Sequence, residues 1–279
     1  MPELPENNQL PYRGRIAPTP SGFLHIGHLK TFKTACDRAR AAGGKIVLRI
    51  EDIDSARCKK EYEEQIFKDL KSAKLLWDEG PDIGGEFAPY AQSERFDLYK
   101  KRLMELIGKN KVYPCNASRA QIKEKAKINT KYNEAIFPPE LRPKNWETPA
   151  DIFACNWRFI VDKTEPVEFF DEICGAQKFC PQQDFGDFLV WRKTGEPSYE
   201  LAVVADDIAM QITEVVRGQD LLLSSARQIM LYRAFGAAIP KFAHCPLVLD
   251  GGGKKLSKSV LGKNSRFLMK NEELGRSAP

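Results

Sequence analysis

Two short strand-forming runs, YRGRIA and KIVLRIED, lie between Tyr12 and Asp52, joined by a Pro/Thr/Ser/Gly turn and one long amphipathic segment. That order leaves few folds open. The amphipathic segment, about Leu24 to Ala42, puts Leu29, Phe32, Ala35, Cys36 and Ala39 on one helical face and stops at AAGG. A strand, a helix and a second strand in this order pair in parallel, with the helix crossing one face of the sheet. Helical patterns over 58 to 76 (Tyr62, Ile66, Leu70 and Ala73 on one face) and 94 to 108 continue the alternation. The opening therefore predicts an α/β fold, a parallel sheet covered by helices. Asp52 and Asp54 stand where they could cap the helix that follows the second strand.

From Pro114 to about Pro181 the alternation breaks. A Lys-rich stretch (RAQIKEKAKINTK) and the Pro-punctuated FPPELRPKNWETP precede two strand-like segments, NWRFIVD and VEFFDEI. This region reads as an inserted subdomain. Alternation returns with DFLVWRK, YELAVVADD and ITEVVRG, a helix over roughly 221 to 236, and HCPLVLDGGGKKLSKS.

Bulk numbers exclude more than they assign. Net charge is 43 − 38 = +5, which permits a polyanionic partner without requiring one. The amino-terminal MPELPENNQLPYRG has no apolar core and reads as a loose tail rather than a signal peptide. No apolar run approaches the ~20 residues of a membrane span. Seven cysteines without an export signal point to reduced thiols in the cytosol, so a cytoplasmic location is expected.

Of three histidines in the chain, two, His25 and His28, sit directly behind the PTPSG turn. A turn between a parallel strand and its helix lies at the carboxyl edge of the sheet, where α/β folds bind ligands. The helix start offers unpaired N–H groups and partial positive charge, which suits phosphate. His25 and His28, at i and i+3, share that face, and Gly27 between them leaves the backbone open to a flat base. Far along the chain, GGGKKLSKS at 251 to 259 brings Lys255 and Lys258 within reach of one anion.

HIGH at 25–28 with KLSKS at 255–259 is similar to the paired motif of class I aminoacyl-tRNA synthetases. RIAPTPSGFLHIGHLKT, VLRIEDIDSAR, QSERFDLYKKRLMELIGKNKVYPC and SYELAVVADDIAMQITEVVRGQDLLLSSARQIMLYRAFG resemble the glutamate-specific branch. The resemblance runs from about residue 13 to 260, with a weaker middle. It implies a Rossmann-type sheet in two halves: a tail over 1–12, the first half over 13–113, an inserted acceptor-type α+β subdomain over 114–181, the second half over 182–245, and the KLSKS loop with a short terminal segment over 246–279. Glutamate-binding positions fall on Arg15, Ala17, Thr19, Ser21, Glu51, Tyr199 and Arg217. The charge inventory suits free glutamate: two guanidinium forks for two carboxylates and a carboxylate for the ammonium. Neither a protein nucleophile nor a general base is needed, because the attacking carboxylate is already an anion. ATP binding falls to His25, Gly27, His28, Lys255 and Lys258, with His25, His28 and Lys258 catalytic and Mg²⁺ arriving on the nucleotide.

With 20 residues after Ser259 in this sequence, no separate anticodon-binding domain is expected. The resemblance in this shortened form implies transfer of glutamate to the queuosine in the anticodon loop of tRNA(Asp), by a monomer. Two other readings stay open at this stage: a truncated or split synthetase charging tRNA(Glu), and a non-catalytic RNA- or metabolite-binding relative. Lys123, Lys125, Lys127 and Lys131 read as a solvated helix face rather than an RNA contact. The branch often carries zinc in the insertion, but YPCNASRA offers Cys115 and then Ala117 where a second thiolate would stand. Zinc is therefore not expected, and Cys155, Cys174 and Cys180 read as small apolar fillers.

Overall fold

A computed structural model describes residues 11–162 and 165–248. In chain order it runs β1 (Arg13–Ile16), α1 (Ile26–Ala41), β2 (Lys45–Leu48), α2 (Lys60–Ser72) and α3 (Phe96–Gly108). Next come β3 (Val112–Pro114), α4 (Arg119–Lys125), β4 (Lys127–Asn129), β5 (Glu134–Ile136), β6 (Trp157–Phe159), β7 (Val167–Asp171) and β8 (Gly175–Phe179). The chain continues with β9 (Leu189–Trp191), α5 (Tyr199–Ala209), β10 (Glu214–Gly218), α6 (Leu222–Phe235) and β11 (Lys241–Cys245). Two compact units result: Leu10–Glu94 with Ile212–Asp220 and the chain from Phe242, and Arg95–Gln211 with Leu221–Lys241.

In the first unit β1 and β2 pair in parallel, Arg13 opposite Lys45 through Ile16 opposite Leu48. Parallel bridges from Val47 to Glu79 and from Ile50 to Ala91 extend the far side of β2. On the other side, the Thr213 N–H donates to the Arg13 carbonyl at 2.9 Å, which starts β10 alongside β1. Helix α1 buries Leu29, Phe32, Ala35, Cys36 and Ala39, the face its periodicity predicts, against Ile16, Ile46 and Leu48. Gly44 lets the strand begin so close to its neighbour: a Cβ there would stand 2.4 Å from the Tyr12 carbonyl oxygen.

Capping by Asp52 and Asp54 is not what forms. Helix α2 starts after Lys59 without a side-chain cap. Asp52 instead accepts from the Ser93 N–H at 2.8 Å and its hydroxyl at 2.6 Å, and Asp54 accepts from Arg57 at 2.7 Å. Both carboxylates sit several residues ahead of the helix and are claimed first by nearer donors.

The second unit packs α3, α5 and α6 together and carries the inserted segment. Arg95 meets the fully buried Asp206 at 2.7 Å, and the Tyr99 hydroxyl reaches the same carboxylate at 3.0 Å. Strands β3, β6 and β9 form an antiparallel sheet, while β4–β5 and β7–β8 are hairpins. One buried carboxylate fastens this region. Asp187 accepts two bonds from Arg142, at 2.7 and 2.6 Å, one from the Tyr113 hydroxyl at 2.8 Å and one from the Val161 N–H at 2.8 Å. Burial and the adjacent Asp187 raise the Tyr113 phenol far above its usual range, so it stays a donor.

The lysines do not share a helix face. Helix α4 ends at Lys125, where Ala126 turns extended (φ −68, ψ 133), so Lys127 stands in β4 and Lys131 in the turn beyond it. Cys155, Cys174 and Cys180 are half-buried in turns and at a strand end rather than packed in a core. No described helix is long and apolar enough to cross a membrane.

Candidate active site

The turn from Ala17 to Leu24 is stitched to the segment after β2. The carbonyls of Ile16, Pro18 and Pro20 accept from the N–H groups of Arg49, Glu51 and Lys59, each at 3.0 Å. Within the turn the Ser21 N–H donates to the Thr19 carbonyl at 2.8 Å. These bonds hold Ala17, Thr19 and Ser21, all half-buried, at the carboxyl ends of β1 and β2.

His25 is the N-cap of α1, with extended backbone (φ −120, ψ 168). Its N–H donates to His28 Nδ1 at 3.2 Å, and the two rings stack with centroids 3.6 Å apart. Because Nδ1 of His28 accepts, a neutral ring carries its proton on Nε2. Gly27 has a reason to be glycine beyond backbone access. A Cβ there would lie 3.0 Å from two atoms of the His25 ring and would press on the stacked pair.

Two buried guanidinium groups flank this corner. Arg15, 4% exposed on β1, donates through Nη1 to the Val216 carbonyl at 2.8 Å. The next residue, Arg217, is 5% exposed and donates through Nε to His244 Nε2 at 3.1 Å. Its guanidinium carbon also lies 5.6 Å from the centre of the Phe242 ring. Glu51 is held from the strand behind it, by Nη2 of the fully buried Arg49 at 3.1 Å. The start of β10 is braced separately: Arg38 clasps Glu214 at 2.8 and 2.6 Å, and the Tyr12 hydroxyl donates to the same carboxylate. Burial and that bond push the Tyr12 phenol well above its ordinary range. Tyr90 is likewise pushed up to about 12, by burial and its hydrogen bond to Glu79.

One unit thus assembles Arg15, Ala17, Thr19, Ser21, His25, Gly27, His28, Glu51 and Arg217 at the carboxyl edge of its parallel strands. Tyr199 belongs to the other unit; it opens α5 behind the Ser198 cap and is 38% exposed. Lys255 and Lys258 lie outside the described residues.

The sequence profile described as tRNA synthetases class I (E and Q), catalytic domain, matches residues 12–274. A glutamyl-Q tRNA(Asp) synthetase of Symbiobacterium thermophilum is 45% identical over 255 residues, covering 88% of this chain and 77% of the relative. The chain belongs to the class I tRNA synthetases of the E and Q type. A glutamyl-Q tRNA(Asp) synthetase of Nitratidesulfovibrio vulgaris is 40% identical, again over 88% of the chain and 77% of the relative. Among solved structures, a glutamate tRNA ligase of Elizabethkingia meningosepticum in complex with its amino acid superposes with a TM-score of 0.76 at 30% identity. That match covers 90% of this chain and 52% of the ligase, so the chain spans about half the length of the solved ligase. The Rossmann-type class I catalytic fold is therefore that of this synthetase.

Two contributors to the synthetase corner escape a motif search. Arg49 and Glu51 are two apart on one extended segment, and period-two alternation places them on one face, a signal present in VLRIED. His244 had none: the third histidine reads as part of an apolar strand, and only the fold brings it against Arg217. In the insertion, Cys115 is buried with Tyr113 and Phe137 and packs against Ala117, so its surroundings are apolar. Among the described residues no group of three or more His, Cys, Asp or Glu side chains is placed to hold a metal.

Proposed function

We propose that this chain activates L-glutamate with ATP and transfers it to the queuosine in the anticodon loop of tRNA(Asp). The observation that carries the reading is the charge complement of one corner: two buried arginines joined through Val216, the Arg49-held Glu51, and the histidine pair at a helix start. Arg15 and Arg217 between them take the two carboxylates, and Glu51 takes the ammonium. The Ala17–Ser21 turn supplies neutral contacts. Two guanidinium forks match a substrate that carries two carboxylates and favour it over one that carries a single carboxylate.

In the first step a glutamate α-carboxylate oxygen bonds to the α-phosphorus of ATP. The bond to the bridging oxygen breaks, and pyrophosphate leaves with the electron pair. His28, His25 and the positive end of α1 neutralise the charge gathering on the phosphates, and Lys255 and Lys258 add two further cations. Mg²⁺ would arrive with the ATP and supply further positive charge to its phosphates. In the second step a ring hydroxyl of queuosine attacks the activated carbonyl, AMP leaves, and the hydroxyl proton passes to the departing phosphate. A monomer is sufficient for both steps.

Glutamate-dependent pyrophosphate–ATP exchange without RNA tests the first step. Charging of queuosine-containing tRNA(Asp) and of tRNA(Glu) tests the second. Glutamate bound through the periodate-sensitive queuosine diol is the expected product; glutamate on a terminal adenosine would replace this reading with a tRNA(Glu)-charging one.

His244 accepts the Arg217 Nε–H at 3.1 Å and so fixes the plane in which the guanidinium faces a carboxylate. His244→Leu should therefore raise KM for glutamate about tenfold or more, leave KM for ATP within about twofold, and change kcat less than KM. His244→Gln, which keeps an acceptor, should restore part of the loss. Equal losses toward both substrates would assign His244 to packing alone.

A further inference from the structure

Away from the corner just described, the insertion holds a cavity of about 810 Å³ that the proposed chemistry does not use. Its size falls within the roughly 300–1,000 Å³ of small-ligand pockets. The apolar floor includes Ile136, Phe137 and Ile160, and Pro138, Pro139 and Pro143 stiffen one wall. Three features point to one kind of occupant. Lys125, Lys127 and Lys144 line the cavity, are exposed, and form no ion pair among the described residues. Its remaining cation, Arg142, is spent on Asp187 and Asp162. Trp146, 38% exposed, presents an indole at the rim, backed by Tyr113 with ring centroids 5.7 Å apart. Gln182 donates its amide to the Val161 carbonyl, and its Oε1, buried at the cavity wall, has no hydrogen-bond partner.

We infer that this cavity takes one splayed-out nucleotide of a single-stranded RNA segment. A base stacks on Trp146 and donates an exocyclic or ring N–H to Gln182 Oε1, while Lys125, Lys127 and Lys144 meet the flanking phosphates. A buried acceptor without a donor is costly, and a base edge supplies the donor where a bare phosphate or an acidic peptide carboxylate would not. Base-paired RNA keeps its bases stacked inside the helix and cannot enter. The inference rests on the proposed RNA-modifying function but reads a different part of the chain. It also assigns to RNA two of the lysines that the sequence alone gives to solvent.

Direct binding separates the two. A fluorescein-labelled RNA hairpin with an unpaired loop and a fully paired duplex of equal length are titrated by anisotropy against the full chain. Wild type should bind the loop RNA at least about tenfold tighter. Trp146→Ala should remove most of that preference, since one stacked base is commonly worth about a tenfold factor or more. Lys127→Ala with Lys144→Ala, both on the surface, should lower the salt slope by about 1–2 for either RNA. Gln182→Met should weaken loop RNA without changing the salt slope. Equal affinity of wild type for loop and duplex, or unaltered loop affinity in Trp146→Ala and Gln182→Met with unchanged melting, overturns the inference. RNA-free pyrophosphate exchange, run on the same preparations, reports adenylate chemistry separately, so its failure would indict the glutamate reading and not the cavity.

Discussion

Arg217→Ala is expected to lower kcat/KM for glutamate by at least about 150-fold, a loss of ~3 kcal/mol, in RNA-free pyrophosphate exchange. The size follows from burial. Arg217 is 5% exposed, so water cannot enter readily to replace the guanidinium, and a glutamate carboxylate carried into that site would lose its counter-charge. Arg217→Lys should recover only part of the loss: an ammonium keeps the charge but cannot make two parallel bonds to a carboxylate, nor donate an Nε–H to His244. KM for ATP should stay within about twofold in both variants, because the nucleotide is assigned to the α1 end of the corner. A glutamate KM and turnover like wild type in Arg217→Ala, with melting unchanged, would remove Arg217 from the substrate site and weaken the glutamate assignment with it.

Asp187→Ala is expected to be the most damaging single change to stability, at about 3–5 kcal/mol. The carboxylate collects four hydrogen bonds from three separate chain segments: two from Arg142, one from Tyr113 and one from the Val161 N–H. Removing it strands the buried Tyr113 hydroxyl and the Val161 N–H at once and takes from Arg142 its closer partner. Arg142 is 22% exposed and keeps Asp162 at 2.8 Å, which favours the lower end of the range. Asp187→Asn preserves the shape but turns one acceptor into a donor facing Arg142, so it should cost roughly half as much. Urea unfolding of the variants tests this. A midpoint within error of wild type for Asp187→Ala would mean that the apolar cluster around Tyr113, Cys115 and Phe137 holds the insertion alone.

Much of the first unit is legible in the sequence because its signals are periodic and local. Sixteen residues of 3.6-period patterning fix α1 and its buried face, and the turn before it announces the carboxyl edge. The corner's charges are legible only through the family resemblance, since a lone Arg15 or Arg217 in a β-branched run reads as any strand residue. Helix α5 shows the opposite difficulty: Glu200 to Asp207 is buried continuously, so no polar face marks its period. His244 and Asp187 are illegible for another reason. Their importance lies in partners 26 to 74 residues away, which no local pattern encodes. The lysine run misleads because a helical period is projected beyond Lys125, where the backbone turns extended.

The bonds between Arg13 and Thr213 and from Arg15 to Val216 join parts of the chain some 200 residues apart. A ribosome therefore releases β1 and the histidine pair long before it makes the strand that lies alongside β1. Until Val216 emerges, Arg15 lacks that carbonyl and β1 waits as an open sheet edge, the sort of surface that invites wrong pairing. Chaperone demand during synthesis should peak over that interval and fall once β10 docks.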